Sequence, residues 1–260
     1  GCSFKMSEAF DIAALTYDGD FTHTQIGSLQ RNRVWMYLDQ VLENKGKLRV
    51  LELNCGTGED AKRMVAKGHE VLATDISEKM LNMAKSKIID EKITFLKVDV
   101  DKISDYSLGN DFDLVFSNFG GLNCIDSKSI VKFAESLSHI LRKNGKFIAV
   151  VMPQFCLWET LYFILKGKLQ DAFRRKKNFA IANVSGQLVK TWYYSPSRFD
   201  SLVSDRLQME SVKPIGLFLP PSYLEKFYKK NLRALRVLDW FENKVGSYSW
   251  QASISDHYYI

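Results

Sequence analysis

The sequence has few of the residues that build covalent or metal-stabilised scaffolds. Its 260 residues include 4 cysteines and 4 histidines. The cysteines are scattered, no C-x-x-C pair occurs, and no histidine lies at metal-ligand spacing. A chain of this length does not ordinarily depend on disulfides for its core. We therefore expect reduced thiols, a cytoplasmic location and no resident metal.

Long apolar runs are also missing. No stretch reaches the roughly 18 apolar residues of a membrane-spanning helix, and the first residues do not have the pattern of a secretory signal. We expect no transmembrane segment. The charged fraction of 25% is ordinary for a globular protein, and the net charge of +6 permits a nucleic-acid partner without requiring one.

The most informative stretch is LRVLELNCGTGED, residues 48–60. Its apolar first half predicts a strand buried on both faces, and Gly56 and Gly58 predict a tight turn into a helix. A helix start offers unpaired N–H groups and a partial positive charge, which suit a polar and often anionic ligand. By itself the stretch is compatible with a nucleotide-like cofactor or with an ordinary strand-to-helix turn.

Strand-like and helical segments alternate through the first 150 residues or so. This alternation predicts a parallel sheet with right-handed crossovers, which binds its ligand at the carboxyl ends of the strands. Asp75, Asp99 and Asn118 each lie where a predicted strand ends. Asp75 follows the glycines at about 20 residues, the spacing at which a carboxylate accepts from both ribose hydroxyls.

These segments resemble the class I S-adenosylmethionine (SAM) methyltransferases. LELNCGTG is similar to their motif h-[DE]-h-G-x-G-x-G, with Glu52 as the acidic residue and Asn54 in place of the first glycine. Asn tolerates unusual φ values better than other non-glycine residues. The phrase T-D-I-S-x-x-M-L is typical of the same family. The start, F-D-x-x-A-x-x-Y-D-x-x-F followed by I-G-x-x-Q-R-x-x-V-W, resembles ubiquinone- and menaquinone-type small-molecule methyltransferases.

The resemblance covers residues 10–152 and implies a fold. We expect one α/β domain over residues 1–260, with a Rossmann-like, mostly parallel seven-stranded sheet of order 3-2-1-4-5-7-6 and helices on both faces. Residues 1–46 would form an N-terminal helical lid and residues 47–152 the SAM-binding core. Residues 153–195 and 216–250 would be insertions that cap the substrate.

The resemblance also implies site residues. Asp75 would hold the ribose, Ile76 and Met80 would flank the adenine, and Asp99 would accept from its amino group. The full set expected to bind SAM, or its product S-adenosylhomocysteine, is Tyr17, Arg31, Glu52, Asn54, Cys55, Gly56, Gly58, Asp75, Ile76, Met80, Asp99, Val100 and Asn118. Phe119, Asn123, Trp158 and Tyr162 are expected on the substrate side. His23 is the predicted catalytic base.

The predicted function is transfer of the sulfonium methyl to a small, partly apolar acceptor by in-line displacement. One alternative is a non-catalytic SAM-binding protein. Another is an NAD-type oxidoreductase, whose G-x-G-x-x-G pattern would have Ala61 in the position of its third glycine, where alanine is barely tolerated. An RNA or protein methyltransferase is a third, although the fourth strand ends in S-N-F-G rather than D/N-P-P-Y/F. The aromatic segment 153–179 suits lid packing, a substrate tunnel or an interfacial helix on a membrane surface. We expect a small-molecule partner and no nucleic acid, and the oligomeric state stays open.

Overall fold

The computed structural model describes residues 2–43, 45–184 and 187–260. Its strands are β1 (Arg49–Leu53), β2 (Glu70–Asp75), β3 (Ile93–Lys97), β4 (Phe112–Ser117), β5 (Leu141–Val151), β6 (Ala180–Val184), β7 (Gln187–Thr191), β8 (Lys213–Ile215) and β9 (His257–Tyr259). Its α-helices are α1 (Cys2–Tyr17), α2 (Gln25–Leu42), α3 (Glu59–Ala66), α4 (Glu78–Lys87), α5 (Ser127–Ile140), α6 (Leu157–Leu165), α7 (Leu169–Ala172), α8 (Pro196–Val203), α9 (Glu225–Tyr228) and α10 (Leu232–Val245). Helices and strands therefore alternate through the first half, as predicted.

The described residues form one seven-stranded sheet and a separate two-stranded hairpin. The sheet has the order β3-β2-β1-β4-β5-β9-β8, and the hairpin pairs β6 with β7. Strands β1 to β5 run parallel, and β9 is antiparallel to both β5 and β8. Without the hairpin, the order is the predicted 3-2-1-4-5-7-6; counting it changes the last two numbers to 9 and 8. The predicted fold class is confirmed.

Helices cover both faces of the sheet because its central strands are apolar on both sides. In β1, Val50 belongs to the core layer that contains Trp35 of α2. The next residue, Leu51, belongs to the opposite layer, with Phe133 of α5. Burial of each such side chain stabilises the fold by roughly 1.5–3 kcal/mol. Two apolar layers thus fix the sheet in the middle of the molecule.

The C-terminal edge of the parallel strands is also where β9 begins. The register pairs Val151, at the end of β5, with Tyr258 in β9. Because β9 is antiparallel to β5, His257 lies at the edge where β1, β2 and β4 end. Chain segments far apart in sequence therefore meet at one end of the sheet.

Helix α1 and the β6–β7 hairpin pack against each other. Asp11 of α1 accepts hydrogen bonds from the hydroxyl of Ser77 and from the backbone N–H of Lys79, at the start of α4. Acidic groups stabilise a helix at this end because the first N–H groups have no partner inside the helix. This contact holds α1 beside the end of β2, while the boundaries 1–46, 153–195 and 216–250 stay predictions.

A buried carboxylate fixes the chain after β8. Glu242 of α10 is fully buried and accepts hydrogen bonds from four successive backbone N–H groups, those of residues 216–219. Burial raises the pKa of Glu242, and these N–H groups oppose the increase. The helix is thereby tied to the loop that follows β8. Across the residues that the structure describes, we find no helix with both the length and the apolar character needed to cross a membrane.

Candidate active site

The turn after β1 has a left-handed backbone at three positions. The angle φ is 53° at Asn54, 53° at Gly56 and 85° at Gly58. Asn54 thus occupies a conformation that asparagine tolerates, as expected for its replacement of a glycine. A Cβ atom on Gly58 would lie 2.9 Å from the Cβ atom of Ala84 in α4. The glycine lets α3 begin tight against α4, and Gly56 is left facing the cavity described below.

Asp75, at the end of β2, lies beside this turn. Its Oδ2 accepts the backbone N–H of Gly56 at 2.9 Å, and its Oδ1 accepts that of Ser77 at 2.9 Å. Burial raises the pKa of Asp75 to about 6, and the N–H groups that it accepts lower the value in part. Each carboxylate oxygen keeps a lone pair for a further donor. Asp75 thus has a structural role at the approach to α4 while it lines the cavity.

The residues that follow β2 and β3 form a mainly apolar slot. Ile76 and Met80 follow β2, Asp99 and Val100 follow β3, and all four line the same cavity as Gly56. Oδ1 of Asp99 accepts the backbone N–H of Asp101 at 3.1 Å. The sequence-based prediction grouped these residues, and the structure does bring them together.

The loop after β4 forms the next wall. The Asn118 amide donates to Oδ2 of Asp60 at 2.9 Å, and its Oδ1 accepts the N–H of Phe119 at 2.9 Å. Phe119 has a positive φ of 42°, which is costly for a bulky residue and turns its ring toward the cavity. Arg31 lies 5.1 Å from the centroid of this ring. The loop is therefore held by polar contacts beneath an aromatic surface.

Asp60 is the centre of those contacts, and sequence reasoning did not identify it. Its carboxylate accepts from Arg31, from the indole N–H of Trp35 at 2.7 Å and from Asn118. Burial alone would raise the pKa of Asp60, but Arg31 and the other donors hold it below its ordinary value. Arg31, predicted as a ligand for the cofactor carboxylate, instead pairs with Asp60 and is not among the lining residues. Arg31 and Trp35 are four residues apart and so share one face of α2, which was the available signal that both contact one partner.

Three further predicted residues differ in their access to the cavity. Tyr17 lines it, and burial raises the pKa of its phenol to about 12. Glu52 is buried, and its pKa is raised well above the ordinary range, first by burial and then by the nearby Asp60 carboxylate. Cys55 is buried, and its thiol donates to the carbonyl of Gly56. Glu52 and Cys55 thus support the turn from behind, as does Gly58.

The cavity has a volume of about 440 Å³ and continues past the loop after β4. Parts of the chain outside the parallel core also line the cavity, and we name this part of the lining the acceptor half; it includes Phe21, Met152, Ala182, Asn183, Val189 and Thr191. The β6–β7 hairpin, which lies within the predicted insertion 153–195, therefore forms part of the wall. Most of these side chains carry no charge, so this half suits a partly apolar molecule.

His257 is the histidine that lines the cavity in the described structure. Its ring packs edge-on against Phe119, with centroids 5.4 Å apart, and its Nδ1 lies 3.3 Å from Oδ2 of Asp256. Sequence reasoning selected His23 as the catalytic base instead. The antiparallel position of β9 was the signal that favoured His257.

His23 does not reach the cavity. It is exposed after the short π-helical turn Asp18–Thr22, and its ring nitrogen lies near the carboxylates of Asp18 and Glu59. Lys87 pairs with both carboxylates. The turn directs His23 to the surface, so the prediction of a catalytic role is not supported.

Asn123 has a structural role in place of the predicted substrate contact. It is fully buried, and its amide donates to the carbonyls of Met152 at 3.1 Å and Trp192 at 2.6 Å. Its Oδ1 accepts the N–H of Met152 at 2.9 Å. These bonds join β5 to the segment after β7 and leave its side chain no place among the lining residues.

The predicted aromatic contacts of α6 also lie outside the cavity. The indole N–H of Trp158 donates to the carbonyl of Phe218 at 2.9 Å, which ties α6 to the loop after β8. The ring of Tyr162 packs on Phe163, with centroids 5.2 Å apart, and Lys166 lies over it. Trp158 therefore serves packing, which was one of the interpretations left open for this segment.

Comparison with known proteins identifies the family. Residues 50–145 match the model of a methyltransferase domain. YqeM of Bacillus subtilis, a protein named as a methyltransferase, is 32% identical over 125 residues, which cover 47% of this chain and 49% of that protein. Residues 50–145 carry a SAM-dependent methyltransferase domain. The family and the enzyme class predicted from the sequence are confirmed for this domain.

Other relatives of the methyltransferase domain have different named acceptors. The tRNA 5-carboxymethoxyuridine methyltransferase of Escherichia coli K12 is 28% identical over 52% of this chain and 53% of that protein. The ubiquinone/menaquinone biosynthesis C-methyltransferase UbiE of Rickettsia typhi is 25% identical over 87% of both chains. The match thus spans about half the length of the first of these curated relatives. Their names do not select one acceptor.

Solved structures show the same fold. The SAM-dependent methyltransferase of Mesorhizobium loti has a TM-score of 0.56 at 17% identity, over 86% of this chain and 94% of that chain. Phosphoethanolamine N-methyltransferase 2 of Haemonchus contortus, solved with S-adenosyl-L-methionine, has a TM-score of 0.61 at 16% identity, over 96% of this chain and 56% of that chain. At these identities the likeness extends to the fold.

Proposed function

We propose that this chain binds SAM in the cavity and transfers its methyl group to a small, partly apolar acceptor. The observation that carries the proposal is the convergence of Gly56, Asp75, Asp99 and the Asn118–Phe119 loop on one cavity at the carboxyl edge of the sheet. Ligands of open α/β sheets bind at this edge.

The donor half of the cavity fits an adenosine with a charged tail. Asp75 is buried with free lone pairs on both oxygens, and it suits the two hydroxyl donors of a ribose. Ile76, Met80 and Val100 offer an apolar slot for a flat base, with Asp99 as an acceptor at its edge. The residues present therefore fit this cofactor.

SAM supplies a methyl group on a sulfonium, which is electrophilic without further activation. The chain itself must hold an acceptor beside that group and exclude water, and positioning alone accounts for a large part of such rate enhancements. The rings of Tyr17 and Phe119 line the cavity and present electron-rich faces to a cation. The hairpin and α1 limit the access of water.

The acceptor half supports a small molecule as partner. Its walls are mainly apolar, and Asn183 and Thr191 of the hairpin add polar side chains that can orient an acceptor. A quinone-type relative matches most of the chain, and a small acceptor agrees with that likeness. A cytoplasmic location stays a prediction.

Calorimetry with S-adenosylhomocysteine tests the proposal. The full chain should bind it with a dissociation constant on the order of micromolar, and Asp75→Ala should weaken binding markedly. Asp205→Ala removes an exposed carboxylate elsewhere and should leave binding unchanged. Absence of binding would refute the proposal, and binding of NADH in its place would favour the oxidoreductase alternative.

A further inference from the structure

A chain of charged side chains leads from the cap to the cavity. Nη2 of Arg175 contacts Oε2 of Glu159 at 3.0 Å and Oδ1 of Asp256 at 2.8 Å. Oδ2 of Asp256 then lies 3.3 Å from Nδ1 of His257, which lines the cavity. Glu159 is on α6, Arg175 follows α7, and His257 begins β9. Three parts of the sequence are thus joined at one ring.

Burial makes this arrangement costly to assemble. The exposed fractions are 1% for Glu159, 6% for Arg175, 4% for Asp256 and 8% for His257. Buried ion pairs are desolvated and often contribute little net stability, so stability alone is a weak reason for such a chain. An arrangement of this kind that ends on one cavity-lining imidazole points to chemistry at that ring.

The bonds of Asp256 determine how it meets His257. Arg175 occupies Oδ1 of Asp256 and also donates from Nη1 to the backbone carbonyl of Asp256 at 3.0 Å. Gln30 of α2 donates to Oδ2 at 3.3 Å. Burial opposes ionisation of Asp256, but His257 and Arg175 hold its pKa below the ordinary range. A fixed, ionised carboxylate therefore faces one edge of the imidazole.

That geometry selects which ring nitrogen is available. Nδ1 of His257 is buried and has no well-aligned hydrogen-bond partner in the described structure other than the nearby Asp256. A carboxylate beside Nδ1 favours the proton on that nitrogen and leaves the lone pair on Nε2. Catalytic hydrogen bonds are often poorly aligned before the ligand binds. Nε2 is then the acceptor that the ring offers to a molecule in the cavity.

We propose that His257 is the general base of the methyl transfer, and that the acceptor is an apolar compound whose nucleophilic atom is a hydroxyl oxygen. This inference rests on the proposed function. A carboxylate already has a nucleophilic lone pair at neutral pH, whereas a hydroxyl gains from losing its proton as the bond forms. Asp256 and Arg175 are positioning residues that act through His257.

The step balances without another reactant. A lone pair of the hydroxyl oxygen forms the bond to the methyl carbon, while the carbon–sulfur bond breaks and leaves its electron pair on sulfur. The hydroxyl proton passes to Nε2 of His257, and its bonding pair stays on oxygen, which gives a methyl ether. One positive charge moves from the sulfonium to the imidazolium, where Asp256 stabilises it. The imidazolium then releases the proton to water.

Nitrogen NMR of the full chain labelled with ¹⁵N-histidine tests the geometry without any acceptor. The His257 signals are those that disappear in His257→Gln. The neutral ring should carry its proton on Nδ1, and Asp256→Asn should shift the population toward the Nε2-protonated form. A parent ring protonated mainly on Nε2, or no change in Asp256→Asn, would overturn the assignment. If Asp256→Asn does not fold, the parent tautomer alone decides.

A kinetic experiment tests the chemistry, with methyl-labelled SAM and 4-pentylphenol as the acceptor. His257→Gln should lower kcat at least about 100-fold, the usual contribution of general-base catalysis, with unchanged S-adenosylhomocysteine affinity. His139→Gln changes an exposed histidine of α5 and should have no effect. Equal kcat in His257→Gln and parent would refute the base. Cofactor binding without methylation of the phenol would refute the hydroxyl acceptor alone, whereas absence of cofactor binding would refute the proposed function itself.

Discussion

The backbone N–H of Gly56 donates to Oδ2 of Asp75 at 2.9 Å, which joins the turn after β1 to the end of β2. The same carboxylate accepts from Ser77 at the start of α4. One buried acidic group thus fixes the relative position of two strands and a helix at the floor of the cavity. A change in the protonation of Asp75 would therefore alter the hydrogen bonds at the proposed cofactor site.

We expect the affinity for S-adenosylhomocysteine to increase as the pH rises through about 6, because burial raises the pKa of Asp75 to about 6. Hydroxyl donors prefer the ionised carboxylate, so binding below this pH must release a proton, and affinity should fall by up to about tenfold per pH unit. Calorimetry between pH 5 and about 8 measures this. Asp75→Asn cannot ionise and should remove the dependence; an equal slope in that variant would contradict the assignment.

In the free protein, the contribution of Asp75 to stability should change with pH in the opposite direction to the affinity. Its folded pKa of about 6 is above the ordinary value of 3.8. The contribution of this carboxyl to the free energy of unfolding is therefore fully present below 3.8 and is lost as the pH rises through about 6. Comparison of urea unfolding of the parent and Asp75→Asn across this range isolates the effect. A parent stabilised at this site by rising pH would be inconsistent with a raised pKa.

Gly58→Ala should destabilise the fold more than Gly68→Ala. Both glycines have a positive φ, 85° and 94°, so a Cβ atom strains both by about 1–2 kcal/mol. At Gly58 the new atom would also meet Ala84 and Ile88 at 2.9 Å, whereas nothing lies within 4 Å at Gly68. Urea unfolding should show the additional loss at Gly58. An equal loss of unfolding free energy in the two variants would mean that α4 moves away from the new Cβ atom at no cost.

Asp60→Asn should lower the free energy of unfolding by about 3 kcal/mol, because Arg31 would keep a buried charge without its partner. Asp39→Asn breaks surface pairs with Arg63 and Lys67 and should cost less than about 1 kcal/mol. Chemical denaturation of both variants makes the comparison. A similar small loss in each would show that Arg31 finds water when Asp60 is neutral.

Glu242→Gln should destabilise the loop after β8. Each oxygen of Glu242 accepts two backbone N–H groups, whereas an amide offers one oxygen and directs its own donors at the other two. Hydrogen bonds to a charged group contribute about 1.5–3 kcal/mol each, so we expect a loss of at least about 2 kcal/mol. Glu43→Gln, at an exposed carboxylate, is the control for thermal unfolding. A shift no larger than that of the control would contradict the role of Glu242.

The donor half of the site could be predicted because its signals are local. Gly56, Asp75 and Asp99 each follow an apolar strand within a few residues, and parallel strands end at one edge. Local patterns determine which element carries a residue, and therefore whether that residue lies at the carboxyl edge of the sheet. The same reasoning correctly expected that Asn54 would tolerate an unusual backbone, which has φ of 53°.

The acceptor half could not be predicted because its contacts join distant segments. Local sequence does not show which histidine meets the cavity, and the antiparallel return of β9 determines that it is His257. Asn123 follows β4 as Asn118 does, but its amide donates to the backbone carbonyls of Met152 and Trp192 and is not available to a ligand. Arg31 was expected to face a ligand, and a single carboxylate, Asp60, redirects it.

The position of β9 has a consequence for how this protein can be divided. The segment that matches the methyltransferase domain, 50–145, ends more than one hundred residues before His257, and α1 precedes it. Excision of that segment would separate the glycine turn from most of the acceptor wall. Conversely, a chimaera that receives residues 153–260 of a relative would exchange the hairpin and β9 together while it keeps Gly56, Asp75 and Asp99. We therefore expect such a chimaera to change the acceptor preference, although Phe21 and Met152 would remain from the parent wall.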